Sequence, residues 1–461
     1  MIRENAWKSY TSKELSEMDV LIDRYKKCID MGKTERECVK IAQNMAENMG
    51  YKNLSKIIEE KSVLKAGDKV YSVMMEKSIV LFNIGAEDFE KGMNILGAHI
   101  DSPRIDIKQN PLYENSDLAY LDTHYYGGIK KYQWVTIPLA IHGVVAKKNG
   151  NLVDIVIGEE DSDPVLVISD LLVHLAQDQT QKKASIVIEG ENMDVLVGSK
   201  PLLNSDDKDL VKANILYILK EKYGIDEEDF LSAELEIVPA GKARDCGLDR
   251  SMVMAYGQDD RVCAFTSLFA MLEGKNTNRT TCCILVDKEE IGSTGATGMQ
   301  SMFFEDIVSE IANILQPDVP LAARRALRNS AMLSSDVSAA YDPLYSSVFE
   351  KRNSAYFGRG IVFNKYTGSR GKSGTNDANA EYIASLRKIM DDNKIFFQTA
   401  ELGKVDQGGG GTIAHILARQ GMRVIDSGVA VMSMHAPYEI TSKADIYEAY
   451  KAYKAFLLDM K

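Results

Sequence analysis

The stretch Ile284-Leu285-Val286-Asp287-Lys288-Glu289-Glu290-Ile291-Gly292-Ser293 decides how this chain is read. Its apolar first residues have the character of a strand, two adjacent carboxylates follow, and Gly292 breaks the run. In an α/β sheet, a strand that ends in acids before a turn delivers them to the crevice at the carboxyl edge, where ligands bind. Side chains alternate along an extended segment, so Glu289 and Glu290 are expected to point apart. One can then bind a metal while its neighbour reaches a water on that metal. The competing reading is a solvated charge pair, and the rest of the chain decides between the two.

Four other strand-like runs end in potential ligands in the same manner. Residues 93–100 contain Gly97-Ala98-His99-Ile100 and continue into Asp101-Ser102-Pro103. A spacing of two puts His99 and Asp101 on one side of a strand, where the carboxylate accepts the proton on one imidazole nitrogen and leaves the other for a metal. The alternative is a turn in which Asp101 and Ser102 cap the backbone before Pro103. Residues 252–257 lead into Gln258-Asp259-Asp260-Arg261, ahead of an apolar helix expected over 262–272. These acids either pair with Arg261 or present one carboxylate to a metal, and two ions ~3.5–4 Å apart need a bridging carboxylate. Met332-Leu333-Ser334-Ser335-Asp336 and the run 429–434 before His435 complete the set. A histidine ligand must come from the six present: His99, His124, His142, His174, His415 and His435.

Composition bounds the answer. The 461 residues exceed one ordinary core and suggest two domains. With 45% hydrophobic and 26% charged residues the chain reads as globular. A formal net charge of -12 argues against a nucleic-acid partner, which requires concentrated basic surface. Residues 1–10 lack the apolar core of a signal peptide and no window reaches 18 uninterrupted apolar residues, so no membrane partner and a cytoplasmic location are expected. The six cysteines show no C-x-x-C pair and are expected as buried reduced thiols.

The predicted architecture is α/β in two parts, 1–106 and 237–461. Between them 107–236 reads as an inserted β-rich domain. Helices are expected over 14–31 and 34–49, with Thr34 as N-cap and Gly50 as stop, then strands over 69–75 and 78–84. The insert shows strand-like segments at 134–142, 152–157, 165–168 and 184–188 between turn residues. A helix over 207–223 ends at Gly224, and the acidic run 226–229 reads as a solvated face. Strand 234–239 returns the chain to α/β character, with a helix over 304–315. The glycine-rich run 406–412 before a short helix at 413–419 lacks a P-loop lysine and reads as a close-approach backbone turn.

Gly97-Ala98-His99-Ile100-Asp101-Ser102-Pro103, Gln258-Asp259-Asp260-Arg261-Val262, Asp287-Lys288-Glu289-Glu290-Ile291-Gly292-Ser293, Ser335-Asp336-Val337 and Met434-His435-Ala436-Pro437-Tyr438-Glu439 resemble, in order, the motifs of the M18 (aspartyl aminopeptidase-like) metallopeptidases. The resemblance covers nearly the whole chain. It implies a zinc-peptidase fold, with a mixed-sheet α/β/α catalytic domain and the inserted β-rich domain serving dimerisation and wider oligomerisation or as a lid, and an aminopeptidase that removes N-terminal residues, Asp or Glu among them, from peptides with a free N-terminus. It also implies two Zn2+ per subunit, with Co2+ or Mn2+ able to substitute. Asp259 would bridge the ions, His99 and Asp336 completing one site and Glu290 and His435 the other. Glu289 would be the general base, Asp101 would orient His99, and the peptide bond before Asp260 would be cis. The family likeness further implies a homo-oligomer, a tetrahedral dodecamer, in which His174 of an inserted domain reaches a neighbour's site; His142 is the weaker candidate. Loop 363–380, with Lys365, Arg370, Lys372 and Asn376, departs from aspartyl-selective members, which leaves the preferred residue open. The rivals are a neutral-specificity aminopeptidase, a deacylase on the same scaffold, and a catalytically silent assembly protein.

Overall fold

The structure, a computed structural model, describes residues 4–274 and 277–461. The chain divides into two compact units: one comprises the chain to Asp101, Ala243–Met434 and Glu439–Lys461, the other Ser102–Lys242 and His435–Tyr438.

The first unit is built on a nine-stranded mixed sheet. Strands Thr280–Val286, Met93–His99, Ala331–Ser334 and Arg423–Gly428 lie side by side and parallel at its centre. They are covered on both faces, which is why they read as near-continuous apolar runs and not as alternating ones. Antiparallel neighbours Ser78–Asn83 and Ile361–Asn364 flank them, so the sheet is mixed as expected. Leu96, Cys283, Leu285 and Leu333 face helices Ser12–Met31, Glu35–Asn48, Gln258–Leu272 and Lys443–Asp459. The alternate positions Ile95, Ile284, Met332 and Val424 face Phe303–Leu315, Ala322–Asn329 and Ala414–Ala418. The result is three layers, α/β/α. A five-stranded sheet containing Met252–Ala255 and Glu439–Ser442 lies beside them in the same unit.

Helix starts follow local chemistry. Thr34 accepts the Glu37 N–H while the Glu37 carboxylate accepts the Thr34 N–H, a reciprocal cap repeated by Thr11 and Glu14. Each such cap contributes about 1 kcal/mol.

The second unit holds a six-stranded antiparallel sheet that includes Arg104–Asn115, Leu118–Tyr126, Leu139–Ala146 and Ala233–Pro239. Helix Leu210–Tyr223 begins three residues later than the periodicity suggests and stops at Gly224, whose φ of 67° only glycine adopts at low cost. The acids after it pair with lysines: Asp226 with Lys220, Glu227 with Lys212, Glu228 with Lys148 and Asp229 with Lys147. Three expected strands differ. The one expected over 134–142 runs from Leu139 to Ala146, because 134–138 form a turn. Residues 184–188 form turns, exposed through Ile186, and 165–168 makes isolated bridges only. A short alternating apolar run becomes a strand only where a neighbour pairs with it.

Candidate metal centre and active site

His99 ends its central strand on the face that carries Ile95 and Ile284, fully enclosed. Its Nδ1 lies 3.0 Å from the Asp101 carbonyl oxygen and 3.3 Å from Asp101 Oδ1, which leaves Nε2 directed elsewhere. Nε2 is 3.3 Å from Asp259 Oδ1 and 3.8 Å from Glu289 Oε2. The tautomer-fixing contact expected from the spacing is therefore made by the backbone as well as the carboxylate of Asp101. That carboxylate also accepts the N–H groups of Glu289 and Glu290, each at 3.1 Å. One buried aspartate thus fixes the histidine and the acidic turn together.

The adjacent glutamates are not on an extended segment. Strand Thr280–Val286 stops early, Lys288 takes a left-handed φ of 70°, and Glu289–Ile291 form a single 3-10 turn. The two hydrogen bonds to Asp101 compensate the lost sheet pairing, and the two side chains diverge because the turn rotates them. Asp287, ahead of the turn, is buried and accepts the Thr297 hydroxyl at 2.5 Å. Burial and the nearby Glu35 carboxylate push Asp287 up to about 7.

Asp259 sits at the head of helix Gln258–Leu272, where its φ/ψ of -78°/110° is not helical and the peptide bond to Asp260 is cis. Its N–H donates to Glu439 Oε2 at 3.0 Å, and Gln258 Nε2 donates to the carbonyl oxygens of Val253 and Glu439. Arg261 makes contacts on other elements. Its Nη1 donates to the Gly32 carbonyl oxygen at 2.7 Å, and the guanidinium stacks on Tyr256. Asp260 accepts the His99 N–H at 3.3 Å. Asp336 follows strand Ala331–Ser334, its N–H donating to the Ser427 carbonyl oxygen at 3.3 Å. Gly428 permits that approach, because a Cβ there would lie 2.0 Å from the Asp336 carbonyl oxygen.

Ligand atoms of His99, Asp259 and Asp336 lie within 4.8 Å of one another, and carboxylate oxygens of Asp259 and Glu290 meet the same limit. Burial opposes charge on His99, yet its contacts with Asp101 and Asp259 outweigh that and raise its pKa well above the usual imidazole range. Asp336 is raised well above the carboxylate range by desolvation, with the His99 charge opposing and Glu289 and Asp259 adding to the rise. Asp336 retains partial exposure toward solvent. Several carboxylates converge on one imidazole, a charge pattern that protons relieve partly and a dication relieves fully. The donors are one nitrogen and carboxylate oxygens, which suits zinc. The residues fit the metal.

His435 belongs to the second unit, where its Nδ1 lies 2.9 Å from the Gly128 carbonyl oxygen. His174 lies exposed in the short turn Val173–Leu175 of that unit. His142 is occupied by Glu159 at 3.0 Å, and His415 by the Thr412 carbonyl oxygen at 2.8 Å. In loop 363–380, Lys365 and Lys372 both pair with Asp377, at 3.5 and 3.0 Å, while Asn376 donates to the Val424 carbonyl oxygen at 2.6 Å. The run 406–412 is a close-approach turn: a Cβ on Gly408 would lie 1.6 Å from the Leu402 carbonyl oxygen. Glu439, which holds Asp259, was not expected; it closes the motif that begins at Met434, and its position there was the available signal.

A profile of the family described as "Aminopeptidase I zinc metalloprotease (M18)" matches residues 28–457. A relative from Clostridium acetobutylicum, "Probable M18 family aminopeptidase 1", is 63% identical over 454 residues, covering 98% of each chain. The crystal structure of an M18-family aminopeptidase from Thermotoga maritima superposes with a TM-score of 0.94 at 42% identity, covering 100% of both chains. The crystal structure of aminopeptidase I from C. acetobutylicum gives 0.92 at 60% identity, covering 99% of this chain and 100% of that one.

Proposed function

The chain belongs to the M18 family of zinc metallopeptidases, and from that premise we propose an aminopeptidase that works at a dinuclear zinc centre. His99, Asp259 and Asp336 would hold one ion, and Asp259, Glu290 and His435 would hold the other. The observation that carries this reading is the group His99, Asp259 and Asp336 within 4.8 Å, with Glu289 beside it. Zinc bound there would supply Lewis-acid polarisation of the scissile carbonyl and a water of lowered pKa. Glu289 takes the proton from the attacking water and passes it to the leaving amine. Asp101 keeps His99 in the tautomer that offers Nε2 and holds the Glu289 turn at working distance. Glu439 holds the backbone of Asp259.

The test is hydrolysis of aminoacyl-arylamides (Asp, Glu, Leu, Ala, Lys) with and without chelator, followed by metal add-back. Chelation is expected to abolish cleavage and zinc to restore it, with cobalt or manganese as substitutes. Metal analysis is expected to give two ions per chain; a fully active enzyme with one would end the dinuclear assignment. Among these substrates we expect Leu or Ala to be cleaved at least as fast as Asp or Glu. The support is that both loop lysines already pair with Asp377 and Lys372 also lies over the Tyr366 ring. A tenfold preference for acidic residues would overturn this and favour the aspartyl-type reading.

We further assign the second unit to assembly, as a homo-oligomer and in particular a tetrahedral dodecamer, with His174 completing a neighbour's site. Leu171, Leu172, Val173 and Leu175, which surround His174, are 55%, 59%, 70% and 73% exposed, and such a cluster of aliphatics marks an association surface. His174→Ala is expected to keep the oligomer by light scattering while kcat falls roughly 100- to 1000-fold. A fully active variant would remove His174 from the site. No helix among the described residues is long and apolar enough to cross a membrane. The free thiols suit a reducing compartment, and we place the protein in the cytoplasm.

A further inference from the structure

Two residues before His99 and Asp336, the sheet carries a tier of polar side chains that the proposed chemistry does not use. Ser334 pairs in register with Gly97 on one side and Asp426 on the other, and Asp426 pairs with Asn364 on the next strand. Side chains return to one face every second residue, so Ser334 and Asp426 share the face of Met332 and Val424. In-register pairing brings Asn364 beside them. Ser334, Asp426 and Asn364 are 0%, 1% and 3% exposed. Thr412, where the glycine-rich run meets the short helix Ala414–Ala418, closes the tier, its hydroxyl near enough to favour the ionised form of Asp426.

The tier has too many acceptors. Asp426 Oδ1, Asn364 Oδ1 and Ser334 Oγ are enclosed and meet no hydrogen-bond partner in the protein. Ser334 lies near enough for its hydroxyl to favour the ionised form of Asp426, yet not in hydrogen-bonding geometry. Asn364 donates its amide Nδ2 to Ser338 Oγ at 3.3 Å, so its carbonyl oxygen is what remains. A carboxylate and an amide oxygen set side by side without a donor repel each other, and each such buried group is costly to leave unpaired.

We propose that Asp426, Asn364, Ser334 and Thr412 bind an alkali-metal cation, potassium or sodium. The donors are all oxygen, which selects a hard cation and offers none of the nitrogen or sulfur of a zinc site. One carboxylate balances one positive charge, so a monovalent ion leaves the pocket neutral. Burial pushes Asp426 up to about 6, and a bound cation restores its ionised form. The ion would fasten the glycine-rich run, through Thr412, to the strand that leads to Asp336.

The test uses the full-length protein stripped of zinc, so that its readout does not depend on the dinuclear assignment. Melting is followed in potassium, sodium and N-methylglucamine chlorides at equal ionic strength. A saturable rise of roughly 2 °C or more is expected with potassium or sodium over N-methylglucamine. Asp426→Asn should abolish the rise, and Ser334→Ala, a milder change should the first variant fold poorly, should shift its midpoint to higher salt. Crystals soaked in rubidium or thallium should show an anomalous peak among the four residues. Equal melting in all three salts, an unchanged response in both variants, or a water at that position without anomalous signal would each overturn the site.

Discussion

Glu289→Gln is expected to lower kcat about 10^3-fold while metal content, oligomer and fold stay as they are. The turn that carries Glu289 is set by its backbone N–H on Asp101, at 3.1 Å, and not by its side chain. Glutamine has the same size, so the turn has no reason to move. What disappears is a basic oxygen beside the His99 imidazole, 3.8 Å from Nε2. Because a proton is transferred in the transition state and not in the bound complex, KM should change little while kcat carries the loss. Glu290→Gln is the control: with Glu290 as a zinc ligand, the change should lose metal as well as turnover. A Glu289→Gln enzyme with more than about a tenth of wild-type kcat would exclude Glu289 as the base.

Asp101→Ala should damage two properties at once. Its carboxylate lies 3.3 Å from His99 Nδ1 and accepts two backbone N–H groups at 3.1 Å each. Losing a carboxylate that supports a metal-bound histidine lowers metal affinity or activity about 10- to 100-fold. Stranding two donors in the Glu289 turn costs about 1–3 kcal/mol each, so the turn should rearrange. Zinc in excess is therefore expected to restore metal content without restoring kcat. Full recovery in excess zinc would mean that Asp101 acts through the histidine alone.

The sequence reading went furthest where geometry is periodic and local. Central strands that lead to His99 and Asp336 were legible because a buried parallel strand needs an uninterrupted apolar run, and its end is marked by the first polar residue. The Thr34 cap was legible for the same reason, since its partner is three residues away. The Glu289 turn was not: Lys288 adopts a left-handed conformation without the glycine that usually signals one, and the hydrogen bonds that stabilise it come from Asp101, far away in sequence. Residues 184–188 had a strand's pattern and no strand to pair with. The polar tier around Asp426 was invisible as well, because Ser334, Asn364 and Asp426 meet only through the register of three strands. The pairing of Lys365 and Lys372 with Asp377 likewise depends on how loop 363–380 folds back on itself.

The order of the grouped residues along the chain also bears on when the protein can become active. His99, Asp259 and Asp336 meet at one place, yet a ribosome that has threaded out three hundred residues has delivered only two of them. The strand beside Asp336, Arg423–Gly428, emerges later still and supplies the carbonyl oxygen that holds the Asp336 N–H. On the proposed ligand set, metal uptake belongs to the last stage of synthesis, and an unfinished chain would carry no working peptidase among the nascent proteins around it.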